Sequence, residues 1–291
     1  MKKIKLKSFC KINLTLRVLK KLRNGYHEIE TLVTFCDPHD EITVKETKKN
    51  TDKITFSGKF KKKIDRKSNT ITKTLYLLRN RNFLKKKKFE INVKKNIPHG
   101  AGLGGGSSNA AAILNFFGSK NYLNLKEKDI YKIANKIGFD TPISLNEKNT
   151  LFTGKKRKIL RIKNKFAFNI LIVYPNIVCS TKKIYRNLHL KEKKLFFTYN
   201  RLKFNNISKK ELIDFLKKEN NDLEITVIQH HPKVMKIIDL IKSQKGCNFA
   251  RITGSGSACY GIFSSKKNAI YTQKLIKLKY PNYWCVVSKT I

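Results

Sequence analysis

Residues 98–110 read Pro98-His99-Gly100-Ala101-Gly102-Leu103-Gly104-Gly105-Gly106-Ser107-Ser108-Asn109-Ala110, and this stretch decides the fold. The segment before it, residues 89–93, alternates apolar and polar side chains as a strand does, and the alanine-rich segment after it, residues 110–117, is typical of a buried helix. Glycines let a ligand approach the main chain and adopt positive φ without steric cost. Their N–H groups and the positive end of the following helix dipole attract anions. The stretch therefore predicts a cradle for a polyphosphate.

The composition indicates a folded protein with two lobes. The chain has 291 residues, 40% of them hydrophobic, which is enough for a substantial core. The formal net charge of +44 in general suggests an anionic partner such as nucleic acid or lipid. The lysines are scattered along the whole chain, however, so we favour compositional drift in an A/T-rich genome. We place the lobe boundary in the charged segment 155–165, which gives domains 1–155 and 156–291.

Cysteine spacing and hydropathy indicate the cellular compartment of the protein. The six cysteines are widely spaced and include no C-x-x-C pair, so they indicate neither a zinc site nor a disulfide framework. No segment approaches the roughly 20 apolar residues of a membrane span. We therefore expect a cytoplasmic protein with reduced thiols and no membrane association.

Periodicity and capping signals predict an α+β chain. In the first half they predict a single strand over 8–19, two strands over 32–35 and 41–44 separated by a break at Asp37-Pro38, and a helix capped by Ser68-Asn69. A further helix runs from Glu127 to Ile137 with Gly138 as its C′ residue, which leaves Asp140 on a short loop. The second half is predicted to contain a strand over 168–174, helices beginning near 180, 208 and 232, a strand-turn-strand unit over 250–263, a helix over 265–279 and a strand over 283–287.

Three known kinds of phosphate loop can be compared with this one. Residues 100–105 satisfy the dinucleotide pattern G-x-G-x-x-G, but a Rossmann unit normally starts with such a loop and has, about 20 residues later, a strand that ends in a carboxylate. Residues 121–124 offer no such strand. The P-loop pattern G-x-x-x-x-G-K-[ST] is absent, as are the later H-R-D and D-F-G elements of protein kinases.

The glycine stretch resembles the P-x-x-x-G-L-G-S/G-S-S motif of the galactokinase, homoserine, mevalonate and phosphomevalonate (GHMP) kinase superfamily. Further motifs, in chain order, resemble the branch of that superfamily whose acceptor is 4-diphosphocytidyl-2-C-methyl-D-erythritol: Lys11-Ile12-Asn13-Leu14, Gly25-Tyr26-His27-Glu28, Gly138-Phe139-Asp140-Thr141-Pro142 and Asn221-Asp222-Leu223-Glu224. The matches run from residue 8 to about residue 263 and cover nearly the whole chain.

The resemblance implies an α+β, two-lobed fold with an N-terminal ribosomal-protein-like ATP lobe and a C-terminal α+β lobe that closes the substrate cleft. It implies ATP-dependent phosphorylation of the acceptor's 2-hydroxyl, a step of non-mevalonate isoprenoid biosynthesis, with Mg²⁺ as the metal. The partner is then a small molecule, and nucleic acid is not expected despite the basic charge.

The resemblance also implies roles for individual residues. Asp140 would be the general base, and Lys11 would lie close to both the hydroxyl and the phosphoryl group. Residues expected at the nucleotide are Pro98, Gly100, Gly102, Leu103, Gly104, Gly105, Gly106, Ser107, Ser108, Asn69 and Lys95. Ser107 or Ser108 would supply a hydroxyl to Mg²⁺. Residues expected at the acceptor are Asn13, Tyr26, His27 and Thr181.

Two alternatives remain at this stage. One is another small-molecule kinase of the superfamily, acting on homoserine or mevalonate, against which Gly25-Tyr26-His27 argues. The other is a basic RNA-binding module, which would explain the charge of +44 but gives no reason for the ordered motifs to occur together.

Overall fold

The computed structural model describes residues 3–23, 25–62, 64–65, 68–154, 158–164, 166–189 and 207–291. The described strands are β1 (Ile4–Asn13), β2 (Arg17–Lys21), β3 (His27–Thr47), β4 (Lys53–Ser57), β5 (Lys88–Lys94), β6 (Thr150–Thr153), β7 (Lys158–Arg161), β8 (Asn169–Tyr174), β9 (Cys247–Ile252), β10 (Cys259–Phe263) and β11 (Trp284–Lys289). The described helices are α1 (Thr70–Arg79), α2 (Gly105–Gly118), α3 (Glu127–Ile137), α4 (Thr141–Ser144), α5 (Thr181–Arg186), α6 (Lys209–Lys218), α7 (Glu224–His230), α8 (Lys233–Lys242) and α9 (Lys266–Lys279). This mixture confirms the predicted α+β class.

The chain divides into two compact units, each built from several segments. Unit 1 consists of Met1–Lys11, Pro38–His99 and Gly104–Glu147, and unit 2 consists of Ile12–Asp37, Gly100–Leu103 and Lys148–Ile291. The glycine-rich stretch therefore contributes residues to both units. The predicted lobe boundary between residues 155 and 156 lies outside the described residues and stays a prediction.

Unit 1 places helices on a strand ladder. The second part of β3 pairs antiparallel with β5 from Glu41↔Lys94 to Thr47↔Lys88, and β4 pairs parallel with β5. Helices α1, α2 and α3 pack against one another, and their apolar faces share a core with the strands. Asn69 begins α1 by accepting hydrogen bonds from the N–H groups of Ile71 and Thr72, both at 3.0 Å, which confirms the predicted cap.

Unit 2 contains an antiparallel sheet in the order β11-β8-β10-β9. Helix α8 packs on β9 and β10, and α9 packs on β8 and β11. A second ladder joins the first part of β3 to β6 and β6 to β7. The 155–165 segment, in which the sequence showed few structural signals, thus includes strand β7. Within the described helices, none has the length and apolar character that a bilayer crossing requires.

Two local predictions were wrong. The single strand over 8–19 is two strands, because Leu14 N donates to Leu32 O and Leu16 N donates to Asn220 O between them. Pro38 does not break β3, which runs from His27 to Thr47; it lies between the residues that pair with β6 and those that pair with β5. Gly138 directly follows α3 and is extended, with φ −177°.

Candidate active site

In unit 1, a lysine and an aspartate far apart in sequence form an ion pair. Lys11 Nζ lies 3.1 Å from Asp140 Oδ2, and the exposed fractions of the two side chains are 3% and 32%. Lys11 lies near the end of β1, and Asp140 precedes α4, where its carbonyl accepts hydrogen bonds from Ser144 N and Oγ. The pair thus combines a nearly buried ammonium with a carboxylate that solvent reaches, both held by secondary structure.

The lysine stem packs against the start of helix α2. Gly104 precedes the helix with φ +67°, and a Cβ there would lie only 2.5 Å from Lys11 Cγ. Glycine is therefore required at this position both for the left-handed backbone and for the close approach. As a result, the Lys11–Asp140 pair lies beside the N-terminal turn of α2.

Among the described residues, that N-terminal turn presents main-chain N–H groups that have no partner within the helix. Gly104 provides no side-chain cap, and the first hydrogen bond of the helix runs from Ser108 N to Gly104 O at 2.9 Å. The N–H groups of residues 105, 106 and 107 precede this bond, as in any helix N-terminus, and the helix dipole adds a positive potential. Ser108 is nearly buried and its hydroxyl donates to Ser144 Oγ at 3.4 Å. The turn has the chemistry of an anion site.

A buried polar network packs against the same N-terminal turn of α2. Lys95 Nζ donates to Asp40 Oδ2 and, at 3.0 Å, to Asn109 Oδ1. Asp40 Oδ1 accepts the N–H groups of Asn96 and Ile97, at 2.8 and 2.9 Å. A Cβ on Gly105 would lie 3.4 Å from Lys95 Nζ, so the ammonium lies next to the first residue of α2. The network ties β3, the segment after β5 and the helix together.

In unit 2, the other part of the glycine-rich stretch, residues 100–103, packs against a second glycine turn, residues 253–257. Ala258 N donates to Ala101 O at 3.1 Å, and Thr253 Oγ1 donates to Gly102 O at 3.3 Å. Gly102 has φ +77°, and a Cβ there would lie 2.1 Å from Thr253 O. These contacts fix the path of residues 100–103.

Asn13 and Thr181 are both tied to this second turn. Asn13 N donates to Thr253 Oγ1 at 3.0 Å, and Asn13 Nδ2 donates to Thr31 Oγ1 at 2.9 Å. The hydroxyls of Thr181 and Ser255 lie 2.8 Å apart. Two residues predicted at the acceptor therefore share one small region of unit 2.

His27 and Tyr26 lie at the start of β3. The His27 ring is 5.0 Å from the ring of Tyr185, centroid to centroid, at an angle of 34°. Burial, with a smaller effect from Lys21, lowers the pKa of His27, so the ring is neutral near pH 7. Tyr26 is 67% exposed. The three rings offer flat surfaces and, in His27, a neutral donor and acceptor.

Comparison with known proteins gives the family. Residues 69–148 match the family model described as "GHMP kinases N terminal domain", and residues 206–273 match "GHMP kinases C terminal". A protein of Pelagibacter ubique (strain HTCC1062) named 4-diphosphocytidyl-2-C-methyl-D-erythritol kinase is 40% identical over 293 residues, which cover 100% of both chains. The chain belongs to this family of GHMP kinases.

Other relatives agree with this assignment. A protein of the same name from Caldicellulosiruptor bescii is 32% identical over 275 residues, covering 94% of each chain. The crystal structure titled 4-(cytidine 5'-diphospho)-2C-methyl-D-erythritol kinase superposes with a TM-score of 0.78 at 20% identity and covers 99% of each chain, so it supports the fold. The kinase is accordingly a phosphotransferase that uses ATP.

Each predicted site residue of the kinase lies in the described part of the chain. Unit 1 brings together Lys11, Asp140 and residues 104–108, and the roles of these residues stay predictions. Asn69 caps α1, and its Nδ2 donates to Asp65 O at 3.0 Å. The ammonium of Lys95 is buried against Asp40. Contacts of Asn69 and Lys95 with the nucleotide stay predictions.

The sequence analysis missed four residues that shape these sites: Asp40, Asn109, Tyr185 and Thr253. Asn109 carried a signal, because an amide on the buried face of an alanine-rich helix needs a buried partner. The other three carried no local signal, since each acts on a residue more than 50 positions away.

Proposed function

We propose that this kinase transfers the γ-phosphoryl group of ATP to the 2-hydroxyl of 4-diphosphocytidyl-2-C-methyl-D-erythritol, and that Lys11 and Asp140 carry out the transfer. The observation that carries the proposal is the 3.1 Å ion pair beside the glycine-lined start of α2. One cation, one carboxylate and a set of main-chain donors are the groups that phosphoryl transfer to an alcohol requires. The reaction belongs to non-mevalonate isoprenoid biosynthesis.

The nucleotide phosphates bind to the first turn of α2. The N–H groups of residues 105–107 donate to phosphate oxygens, and the helix dipole stabilises their charge. Lys11 adds a full positive charge next to that turn. Since its stem is packed against Gly104, the ammonium is held in place before the substrates bind, which avoids reorganisation during the reaction.

Asp140 accepts the proton of the acceptor hydroxyl. A carboxylate is a weak base for a tertiary alcohol, so the proton leaves late, after the bond to the phosphoryl group has begun to form in a loose transition state. Lys11 pairs with the Asp140 carboxylate and stabilises the acceptor oxygen as negative charge develops on it. The same lysine thus assists both the base and the transferred group.

The residues present fit a Mg²⁺ ion that binds with the nucleotide. Mg²⁺ in kinases is held by one or two protein oxygens together with substrate phosphates. In the described part of the chain, no group of three or more His, Cys, Asp or Glu residues is placed to hold a metal ion alone. We propose Ser107 as the hydroxyl ligand, since the Ser108 hydroxyl is nearly buried and donates to Ser144. When bound, the ion neutralises phosphate charge.

The acceptor is bound through residues of unit 2. Exposed Tyr26 stacks on the cytosine, and His27, held against Tyr185, makes hydrogen bonds to the edge of the base. Asn13 and Thr181 contact the diphosphate or erythritol portion. Their shared connection to the turn 253–257 supports a common role.

Asp140→Asn tests the proposal, with Asp129→Asn as its matched control. Asp129 is also an ion-paired aspartate of unit 1, 3.9 Å from Arg81 and 34% exposed. With ATP, Mg²⁺ and 4-diphosphocytidyl-2-C-methyl-D-erythritol, we expect ADP formation to fall by ~10²–10⁴-fold in Asp140→Asn and to stay within about twofold of wild type in Asp129→Asn.

Two outcomes would contradict the proposal. Near-normal turnover of Asp140→Asn would refute the role of Asp140 as the base. Faster ADP formation by the wild-type kinase with homoserine or mevalonate than with the cytidyl substrate, at equal concentrations, would refute the acceptor.

A further inference from the structure

Ile252, the last residue of strand β9, pairs with Cys259 of β10 on one side, and side chains bind its main chain on the outer side. β9 is the edge of the sheet β11-β8-β10-β9, and Ile252 ends it. Ile252 N donates to Glu224 Oε2 at 2.8 Å, and Ile252 O accepts from Asn221 Nδ2 at 3.2 Å. Buried main-chain groups require partners, and these two side chains supply them where the sheet ends.

The Asn221 carboxamide also holds the first glycine of the turn 253–257. Asn221 Nδ2 donates to Gly254 O at 2.9 Å, and Asn221 Oδ1 accepts from Leu223 N at 3.0 Å. The two carbonyls it binds, those of Ile252 and Gly254, stand on either side of Thr253. One amide thus fixes the main chain before and after Thr253.

The main chain of Asn221 is itself held in place by hydrogen bonds of its neighbours. Leu16 N donates to Asn220 O at 3.1 Å, and Asp222 N donates to Leu16 O at 2.8 Å, so the main chain of Asn221 is bound beside Leu16. Asn221 is 3% exposed, which excludes water from competing for its hydrogen bonds. The carboxamide is therefore a rigid support for the turn.

We propose that Asn221 is a positioning residue for acceptor binding, which acts by placing Thr253 against Asn13. Thr253 is fully buried, and its Oγ1 accepts from Asn13 N at 3.0 Å and lies 3.4 Å from Asn13 Oδ1. This inference rests on the proposed function, in which Asn13 contacts the acceptor. Every residue of the chain Asn221–Thr253–Asn13 belongs to unit 2.

Steady-state kinetics of Asn221→Ala separate this role from general destabilisation. Removing one buried hydrogen-bonding group costs enough to change binding by about tenfold. We expect the KM for the acceptor to rise by about tenfold while the KM for ATP stays within about threefold of wild type, because the α2 donors belong to unit 1. Asn149→Ala is the control: Asn149 is also a buried unit 2 asparagine, and its Nδ2 donates to Asn164 O.

If Asn221→Ala folds poorly, substitutions of Thr253 test the same chain of contacts. Thr253→Val removes the hydroxyl that accepts from Asn13 N and donates to Gly102 O, and it should raise the acceptor KM more than the ATP KM, because the α2 donors at residues 105–107 belong to unit 1. Thr253→Ser keeps the hydroxyl and should restore the acceptor KM. Combining Asn221→Ala with Thr253→Val should raise the acceptor KM little beyond either single change, since both break one chain of contacts.

The outcomes are distinct from those for the proposed function. If wild-type kinase phosphorylates the acceptor but Asn221→Ala and Thr253→Val leave its KM unchanged, or raise both substrates' KM equally, the positioning role is refuted. Multiplying effects in the double variant would also refute it. If the wild-type kinase does not phosphorylate the acceptor, the proposed function itself fails.

Discussion

Replacing Gly102 by alanine probes the closest main-chain contact of the glycine-rich stretch. A Cβ at this position would lie 2.1 Å from Thr253 O and 3.0 Å from Gly256 N, and both are backbone atoms that no side-chain rotation can move. Gly102 also has φ +77°, which an alanine adopts only with strain. Either the 100–103 segment or the turn beginning at Thr253 must therefore shift.

The backbone strain and the steric contact each lower the free energy of unfolding. A non-glycine residue in the left-handed region costs about 1–3 kcal/mol. Inserting a methyl group into a packed contact costs about 1–3 kcal/mol more. We expect Gly102→Ala to lower the free energy of unfolding of unit 2 by about 2–6 kcal/mol.

Gly106→Ala is the matched control from the same stretch. Gly106 lies inside α2 with no positive φ, and the nearest atoms to a Cβ there are those of Thr70 at 3.7 Å. Alanine is a better helix former than glycine by up to about 1 kcal/mol, so this variant should be as stable as wild type or more stable.

Urea unfolding measures both variants. Fluorescence of Trp284, the single tryptophan of the chain, reports unit 2, and far-UV circular dichroism reports both units. The Gly102→Ala midpoint should fall with little change in the slope of free energy against urea. A midpoint equal to that of wild type, or a larger loss in Gly106→Ala, would refute the reasoning from contact distance and φ.

Two further predictions concern buried carboxylates. Asp40→Asn should lower the free energy of unfolding by about 3–5 kcal/mol, because it leaves the Lys95 ammonium buried without its counter-charge. Urea unfolding measures this loss, and Asp37→Asn, at an exposed residue, is the control that should change stability little. Equal losses in the two variants would contradict the prediction. Burial raises the pKa of Glu30 from 4.5 to about 7, with Arg17 opposing and Glu219 adding to the shift. In the unfolded chain the Glu30 carboxyl therefore ionises at a lower pH than in the folded chain. The free energy of unfolding falls as pH rises from about 4.5 to about 7, by up to about 3 kcal/mol. Glu30→Gln should remove that part of the pH dependence, and identical pH profiles of wild type and variant would argue against it.

Elements whose signals are local were predicted well. The Asn69 cap, the helix from Glu127 to Ile137 and the helices beginning after Ser208 and at Pro232 agree with the structure, since capping and helical periodicity depend on neighbours in sequence. Pro38 was misjudged because its effect on a strand depends on which residues that strand pairs with. A partner 50 or 100 residues away leaves no mark on the local pattern.

The candidate site divides in the same way. The glycine spacing indicated an anion cradle from the sequence, and the family resemblance added Lys11 and Asp140 as the groups for transfer. Neither the spacing nor the resemblance predicted that Gly104 is needed for the Lys11 stem, or that Lys95 is neutralised by Asp40. Such close approaches arise only when strands and helices are packed.

The sequence by itself indicated the α+β class and a glycine-lined turn suited to an anion, because residue type and spacing decide main-chain freedom and helix starts, and its resemblance to a known family indicated a kinase. Tertiary structure alone decided which residues meet: Lys11 with Asp140 at 3.1 Å, and Asn221 with the carbonyls on either side of Thr253. These contacts join residues separated by 129 and about 30 positions. Their energies depend on distance and burial, which exist only in the folded chain.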